Sequence, residues 1–462
     1  MQSLLGLFYV QLFQNLSDIS GFFMLSKLFN PKTIAVVGAS NKPGKIGYTI
    51  MRNLLHNSRA RQLFPINIDS PKILGLRAYK KVSDIPIKKL DLLVIAVPKA
   101  SVLNVLKDSA KKNTKFAVII SSGFKEAGDL QTEEAIIKFA KRNKIRIIGP
   151  NVLGVYSADS GLDTLFLSLT AQPRPKLGKI SLISQSGTVG AILMFEFEKN
   201  KIGLNKFISY GNASDINECD LINALNKDEN TDVICAYIEE IIDGKRFIDL
   251  MRRQKKPIIM LKAGKSKKGS QSVKSHTGNL AGDSSVYSGI MKQFNIIDAE
   301  TVNDLVNYAK VQGLKQIRDV TIITNGGGYG ILLSDHLEQY GVPIKDLSSK
   351  LKTNLKKNLP FGVSVRNPID IMGDADADRY IDAIRLTKRE TDTYIIILLG
   401  QVSTIDRENV QKLYNYCTTL NKNIIFISTE DEYTKLLENK YLVFQYPQSL
   451  ARALKIKLKS KP

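Results

Sequence analysis

Residues 33–40 read TIAVVGAS and residues 41–55 continue NKPGKIGYTIMRNLL. An apolar run that turns through glycine and serine into an amphipathic stretch predicts a strand, a glycine loop and a helix, the opening unit of a doubly wound sheet. The glycines fall at Gly38, Gly44 and Gly47, with Pro43 ahead of Gly44. That spacing is not G-x-G-x-x-G, so the loop matches a dinucleotide fingerprint poorly, although its backbone N–H groups could still face a phosphate.

Outward from this unit, LFPIN (63–67), DLLVIAVP (91–98), AVIISSGF (117–124) and IRIIGPN (145–151) predict further strands, with helical stretches between most of them. Ligands of such sheets gather at the carboxyl ends of the strands. The loops holding Asn67, Pro98, Ser121 to Glu126 and Asn151 are therefore the expected rim of one site, while ordinary turn chemistry accounts for Gly, Pro and Asn equally well. QPRPKLGK, around Pro173 and Pro175, has the composition of a linker. Beyond it the pattern restarts twice, as KISLISQSGTVGAILMFEFEKN from Lys179 and VTIITNGGGYGILLSDHLEQYG from Val320.

The expected fold is α/β, three consecutive doubly wound domains at 24–160, 179–315 and 316–462, with a linker at 161–178. Residues 1–23 read as an N-terminal extension or a misassigned start. They lack the Lys or Arg of a secretory signal, and Gln11, Gln14, Asn15 and Asp18 interrupt any membrane span. The length of 462 residues suits two to four domains at roughly 100–200 residues each.

Lys and Arg number 66 against 44 Asp and Glu, a formal net charge of +22. The lysines are scattered with little aromatic interleaving, which favours a solvated basic surface over a nucleic-acid interface; phosphate-bearing small ligands or an acidic partner subunit are its functional version. Cys219, Cys235 and Cys417 stand far apart and only three histidines are present, His56, His276 and His336. Neither a zinc site, a disulfide framework nor a multi-histidine metal centre fits, and a reducing cytoplasm does.

The chemistry concentrates in Lys262–Gly282, KAGKSKKGSQSVKSHTGNLAG. His276 lies between Ser275 and Thr277 in a stretch whose glycines predict a movable loop. A neutral imidazole can attack a phosphoryl group near pH 7, where Ser or Thr would need a separate base. A surface loop with an incidental histidine fits the composition as well. At Ser186-Gly187-Thr188 a helix start would aim free N–H groups at an anion, worth roughly 0.3–1 kcal/mol from the dipole; a plain serine N-cap is the alternative. Glu239 and Glu240 end an apolar run, so a carboxylate there could steady a histidine, or simply face solvent. Gly326–Gly328 lacks the Gly-Lys-Ser/Thr ending of a P-loop, and GDADAD (373–378) is expected to cap a helix rather than form an EF-hand.

Taken together, the stretches from residue 24 onward resemble the alpha subunit of ADP-forming acyl-CoA synthetases (acetate–CoA ligase, ADP-forming), relatives of succinyl-CoA synthetase. IAVVGAS with PGKIGY, SSGFKEAG and GPNVLG are similar to the family's CoA-binding domain. ISQSGT, SYGNASDI, YIE, KAGKS and SHTGNLAG are similar to its ligase domain, and TNGGGYG with NPIDIMGDAD to its third domain. SHTG-x-LAG is specific in this context; the opening loop alone is not. The resemblance implies a Rossmann-like CoA-binding domain followed by two flavodoxin-like domains. It makes His276 the phosphorylated histidine and Glu239 its supporting carboxylate, with Ser186 and Gly187 holding the phosphate. CoA contacts are expected at Gly38, Ser40, Lys72, Pro98, Ser121, Ser122, Gly123 and Phe124, although INIDSPK departs from the usual N-P-K at Lys72. Val152 replaces the usual cysteine of GPNC, which removes any thiol role there.

The implied reaction is reversible: acyl-CoA, ADP and phosphate give acid, CoA and ATP through an acyl phosphate and a phosphohistidine, with acetate the default acid. The family places ATP or ADP and Mg²⁺ in an ATP-grasp domain, and no stretch here resembles one. A separate ATP-grasp beta subunit, in an α₂β₂ assembly, is therefore expected; neither nucleic acid nor membrane is an expected partner, and no metal is expected on this chain. The alternative from another class is a non-catalytic CoA-binding regulatory protein, and an NAD-dependent dehydrogenase rests only on the opening turn.

Overall fold

The computed structural model describes residues 25–56, 61–277 and 284–458, and the side chains of 274–277 fall outside the description. The expected extension at 1–23 and the last residues of the basic tail, 459–462, lie outside the described residues. The chain divides into two compact units, Met1–Leu305 and Val306–Pro462.

The opening unit folds as its pattern predicts. Thr33–Val37 runs parallel to Gln62–Ile66 on one side and Leu92–Ile95 on the other, and Phe116–Ile119 and Arg146–Ile148 complete a five-stranded sheet. Successive strand residues alternate between faces. Ile34, Val36, Val94 and Val118 pack towards Ile50, Met51 and Leu54 of the helix Ile46–His56. Ala35, Val37, Leu93 and Ile95 pack towards Val102 and Leu106 of the helix Lys99–Ala110 and Ile136 of the helix Leu130–Arg142. Because both faces are covered, the strands read as continuous apolar runs.

A seven-stranded sheet occupies the rest of the first unit. Its parallel strands lie in the spatial order Ile297–Ala299, Ile258–Lys262, Val233–Ile238, Leu177–Ser184, Leu204–Ser209. Val155–Ser157 then adds antiparallel to Leu204–Ser209, and Leu162–Asp163 adds antiparallel at the edge. These last strands fall where the first domain's end and the linker 161–178 were expected. The segment expected as a linker is packed rather than loose: the side chain of Arg174, between the two prolines, is buried, donating from Nε to the fully buried Asp163 at 2.9 Å and from its other nitrogens to the carbonyls of Gln172 and Leu167 at 2.6 and 2.7 Å. The segment is thus locked into the second sheet, and a single hydrophobic cluster runs from Ile34 and Ile50 to Ile183, Ile208 and Ile234.

The second unit holds a five-stranded parallel sheet in the order Ile369–Asp370, Thr321–Thr324, Thr393–Leu398, Asn423–Ser428, Leu442–Phe444. As expected for GDADAD, Asp376 caps the helix Ala377–Thr387, its carboxylate accepting from Arg379 N at 3.0 Å. In all three sheets the parallel strands follow the doubly wound order 2-1-3-4-5, counted along the chain within each sheet. Among the described residues no helix is long and apolar enough to cross a membrane.

Candidate functional site

Strand order reverses where the first and third strands of such a sheet lie side by side, and the crevice there is where ligands bind. In the first sheet this is the gap beyond Val37 and Ile95. Gly38 turns the chain at φ +89°, and a Cβ on it would sit 2.3 Å from the Ala96 carbonyl oxygen. A Cβ on Gly47 would come within 1.9 Å of the Gly38 oxygen, so strand, loop and helix meet backbone to backbone. The result is a cleft of ≈ 570 Å³ whose lining includes Gly38, Asn67, Lys80, Lys81, Pro98 and Asn104. A bare glycine turn beside two lysines suits a long phosphate-bearing ligand such as CoA. Asn67 is held in place by donating to the Ala39 carbonyl at 2.8 Å. Lys80, Lys81 and Asn104 were not singled out from the sequence; they sit outside any glycine motif and reach the cleft only through the fold.

Of the other expected CoA contacts, Ser40 and Lys72 lie beside the cleft rather than in its lining. Ser40 accepts from Lys42 N at 3.0 Å, and Asn41 clips the Lys72 turn by donating to Lys72 O and accepting from Leu74 N, both at 2.9 Å. Ser121 donates to the Val97 carbonyl next to Pro98, and Ser122 is exposed. Gly123, at φ +97°, donates its N–H to Glu126 Oε1 at 2.6 Å. Phe124 corrects the expectation: its ring is fully buried in the sheet's core and its N–H is taken by Glu126, so its side chain is not a ligand contact. The other oxygen of Glu126 accepts from Asn212 Nδ2 at 2.6 Å, tying this loop to SYGNASDI.

The second sheet has its own switch point, between Leu177–Ser184 and Val233–Ile238. Here the structure brings Ser186, Gly187 and Glu239 together. Ser186 caps the helix Gly187–Lys199 by accepting from Val189 N at 3.3 Å, so the cap is real, and helix geometry leaves the N–H groups of Gly187 and Thr188 aimed outward from the carboxyl edge. Glu239 follows the neighbouring strand and is only 7% exposed, against the solvent-facing alternative. Its Oε1 accepts from Tyr237 OH at 3.3 Å.

Three buried side chains, Gln185, Glu218 and Lys262, and the half-buried Tyr287, none of them given a role in the sequence-based expectation, brace this turn. Gln185 Oε1 accepts from the N–H groups of Glu239 and Glu240 at 2.9 and 3.1 Å. Glu218 Oε1 accepts from Ile242 N at 2.9 Å, and Lys262 Nζ donates to Glu239 O at 2.6 Å. Tyr287 is hydrogen-bonded to the Ile241 backbone. Burial pushes Glu218 up to about 7 and Lys262 down to about 8, the latter against the opposing pull of Glu239 and Glu240. Gln185, within ISQSGT, and Lys262, at the head of KAGKS, carried a signal in the sequence; Glu218 and Tyr287 depend on tertiary contact.

Lys262 ends the strand Ile258–Lys262, and Gly264, at φ +75°, turns the chain into the next element. That element is not the movable loop expected around His276. Lys267–Thr277 is an α-helix, N-capped by Ser266 Oγ accepting from Gly269 N at 3.0 Å. Within it Lys267, Lys268, Gln271 and Lys274 are good helix formers, and a single Gly269 does not outweigh them. His276 belongs to the last turn of this helix; its side chain lies outside the described residues, as do residues 278–283 of SHTGNLAG.

Comparison with known proteins agrees with this geometry. The family model of the CoA binding domain matches residues 32–158, that of the succinyl-CoA ligase like flavodoxin domain residues 177–312, and that of the ligase-CoA domain residues 320–410. The alpha subunit of acetate–CoA ligase [ADP-forming] I of Pyrococcus furiosus is 38% identical over 401 residues, 84% of this chain and 86% of that protein. Acetate–CoA ligase [ADP-forming] I of Archaeoglobus fulgidus is 33% identical over 380 residues, 81% of this chain but 54% of that longer protein. The structure of dinucleotide forming acetyl-coenzyme A synthetase 1 of Ca. Korarchaeum cryptofilum, in complex with phosphate and ADP, superimposes with a TM-score of 0.85 at 33% identity, covering 94% of this chain and 96% of that one.

Proposed function

The chain belongs to the family of ADP-forming acetate–CoA ligase alpha subunits, and from that footing we propose how its residues divide the reaction. It is a ligase subunit of the type that interconverts acyl-CoA, ADP and phosphate with acid, CoA and ATP. Acetate, the acid named for the Pyrococcus and Archaeoglobus relatives, is the proposed substrate. The CoA portion lies in the cleft at Gly38, Pro98, Lys80 and Lys81, with Ser40, Lys72 and Ser121 to Gly123 at its rim. Phosphate attacks the thioester carbonyl, and CoA leaves as the thiol. The neutral imidazole of His276 then takes the phosphoryl group from the acyl phosphate, and the acid leaves.

The observation that carries this division is the meeting of a capped helix start, Ser186-Gly187, with the buried Glu239 at one switch point. Free N–H groups there offset phosphoryl charge. Glu239 holds the histidine tautomer and balances the positive charge that develops on the ring, a contribution of roughly 10²- to 10⁴-fold for a positioned acid or base.

Phosphohistidine delivers to ADP on a partner. The name "subunit alpha" supports a partner chain, and the Archaeoglobus relative carries a large region beyond the 54% that matches. We assign that partner as an ATP-grasp beta subunit binding ATP or ADP with Mg²⁺, in an α₂β₂ assembly. The three free, buried cysteines suit work in a reducing cytoplasm.

With the partner, radiolabelled ATP and Mg²⁺, this chain is expected to acquire an acid-labile, base-stable phosphate that is lost in His276→Ala. Label that persists in the variant removes the histidine assignment. Full phosphorylation in Glu239→Gln removes only the role given to that carboxylate.

A further inference from the structure

We propose that Gln185 is a positioning residue for Glu239, making the anion-holding helix start and the supporting carboxylate one rigid piece; the inference rests on the roles proposed above for Ser186 and Glu239. The parallel ladder between Leu177–Ser184 and Val233–Ile238 ends with Gln185 N donating to Tyr237 O at 3.1 Å. The strand itself ends at Ile238, one residue before Glu239. A single amide oxygen, Gln185 Oε1, on a side chain that is 7% exposed, accepts from the N–H groups of both Glu239 and Glu240, at 2.9 and 3.1 Å.

Three features make this more than a buried hydrogen bond. Gln185 is the residue immediately before the helix N-cap Ser186, so its backbone is fixed with the anion cradle while its side chain is fixed to the carboxylate's backbone. The amide is neutral, so it accepts two N–H bonds without adding negative charge beside Glu239, Glu240 and an incoming phosphoryl group. Other supports of the turn come from different elements: Lys262 from the next strand and Glu218 from the helix Glu218–Lys227. Gln185 joins the two halves of the site directly. A displacement near 1 Å of a catalytic group can cost about 10²-fold in rate, so loosening this link acts on transfer rather than on ligand affinity.

The test is a double-mutant cycle in the complex with the ATP-grasp partner, following single-turnover phosphorylation of this chain. Gln185→Met keeps the length and removes the acceptor. It is expected to slow phosphorylation about 10- to 100-fold, as loss of a support behind an active group typically does. The CoA-induced thermal shift, which reports the first sheet, stays as in wild type, and KM for ATP is unmoved. In the Glu239→Gln background the same substitution is expected to add less than about 2-fold, because the group it positions is already disabled. Multiplicative effects in the double variant overturn the inference, as does wild-type transfer in Gln185→Met. If Glu239→Gln alone is unimpaired, the proposed role of Glu239 fails instead, which the single variants distinguish. Should Gln185→Met not fold, Gln185→Glu keeps an acceptor but brings a second carboxylate beside Glu239; its slowing is expected to vanish in the Glu239→Gln background, and slowing that persists there overturns the proposal.

Discussion

Lys262 Nζ donates to the Glu239 carbonyl at 2.6 Å and stands 4.4 Å from the centroid of the Tyr287 ring. An ammonium held behind a candidate carboxylate, and almost out of water, has the charged form disfavoured by burial, with Glu239 and Glu240 only partly restoring it; its pKa falls to about 8.

That value fixes the sign of a pH effect. The folded pKa lies below the ordinary 10.5, so between about 8 and 10.5 the unfolded chain binds more protons than the folded one, and this group's contribution to stability rises with pH. Denaturant unfolding of wild type and Lys262→Met at pH 7.5 and pH 10 is expected to show the difference shifting in favour of wild type at the higher pH. A difference that does not move with pH removes the depressed value.

Glu218 behaves in the opposite sense. Burial raises it from 4.5 to about 7, so over that interval the folded chain holds a proton that the unfolded chain releases, and stability falls as pH rises. Glu218→Gln, which keeps an acceptor for Ile242 N, is expected to flatten this slope and to gain on wild type between pH 5 and pH 7.5. Parallel stability profiles for the two proteins over that range would falsify the assignment.

The glycines of the first switch point separate strain from collision. Gly44 has φ +83° with nothing within 4 Å of an added Cβ, so Gly44→Ala carries only the left-handed penalty, about 1–2 kcal/mol. Gly47→Ala places a methyl 1.9 Å from the Gly38 carbonyl oxygen, where only backbone movement gives relief. We expect a loss of about 3 kcal/mol, the upper end of overpacking, together with loss of the CoA-induced thermal shift. Equal melting temperatures for the two variants would contradict the close approach of loop and helix.

Asn212 Nδ2 donates to Glu126 at 2.6 Å and to Glu133 at 2.8 Å, separating two carboxylates. Burial opposes ionisation of Glu126, but the Asn212 amide and the Gly123 N–H outweigh it and hold its pKa below the usual value. Its contribution is therefore present at neutral pH and lost as pH falls through the depressed value. Asn212→Ala is expected to cost about 1–3 kcal/mol near pH 7, less at pH 4, and to weaken CoA binding through the Gly123 loop. Calorimetry at the two pH values checks both parts, and an equal cost at each contradicts the carboxylate explanation.

Some expectations depended on short-range pattern, and these are the ones that survive contact with the structure: Thr33–Val37 turning at Gly38 into Ile46–His56, the Ser186 cap and the Asp376 cap. The linker around Arg174 and the loop around His276 depended on glycine and proline counts. In the first case composition did not reveal that a buried partner, Asp163, packs the segment down; in the second the lysines and glutamine between Lys267 and Thr277 favoured a helix over a loop. Phe124 sat in a recognisable motif, yet its ring belongs to the core, because the motif marks a turn and the turn aims that side chain inward.

By itself the sequence determined the alternation of strands and helices, the family, and the identity of His276, Glu239 and Ser186 as residues worth testing. Those properties are local or travel with short motifs, set by side-chain periodicity and by which residues can cap or turn. Only the tertiary structure decided that Gln185 joins Ser186 to Glu239, that Lys80 and Lys81 flank the cleft, and that Glu218 and Lys262 are buried behind the turn. These depend on strands distant in the chain lying side by side, and on the exclusion of water between them, neither of which any window of residues contains.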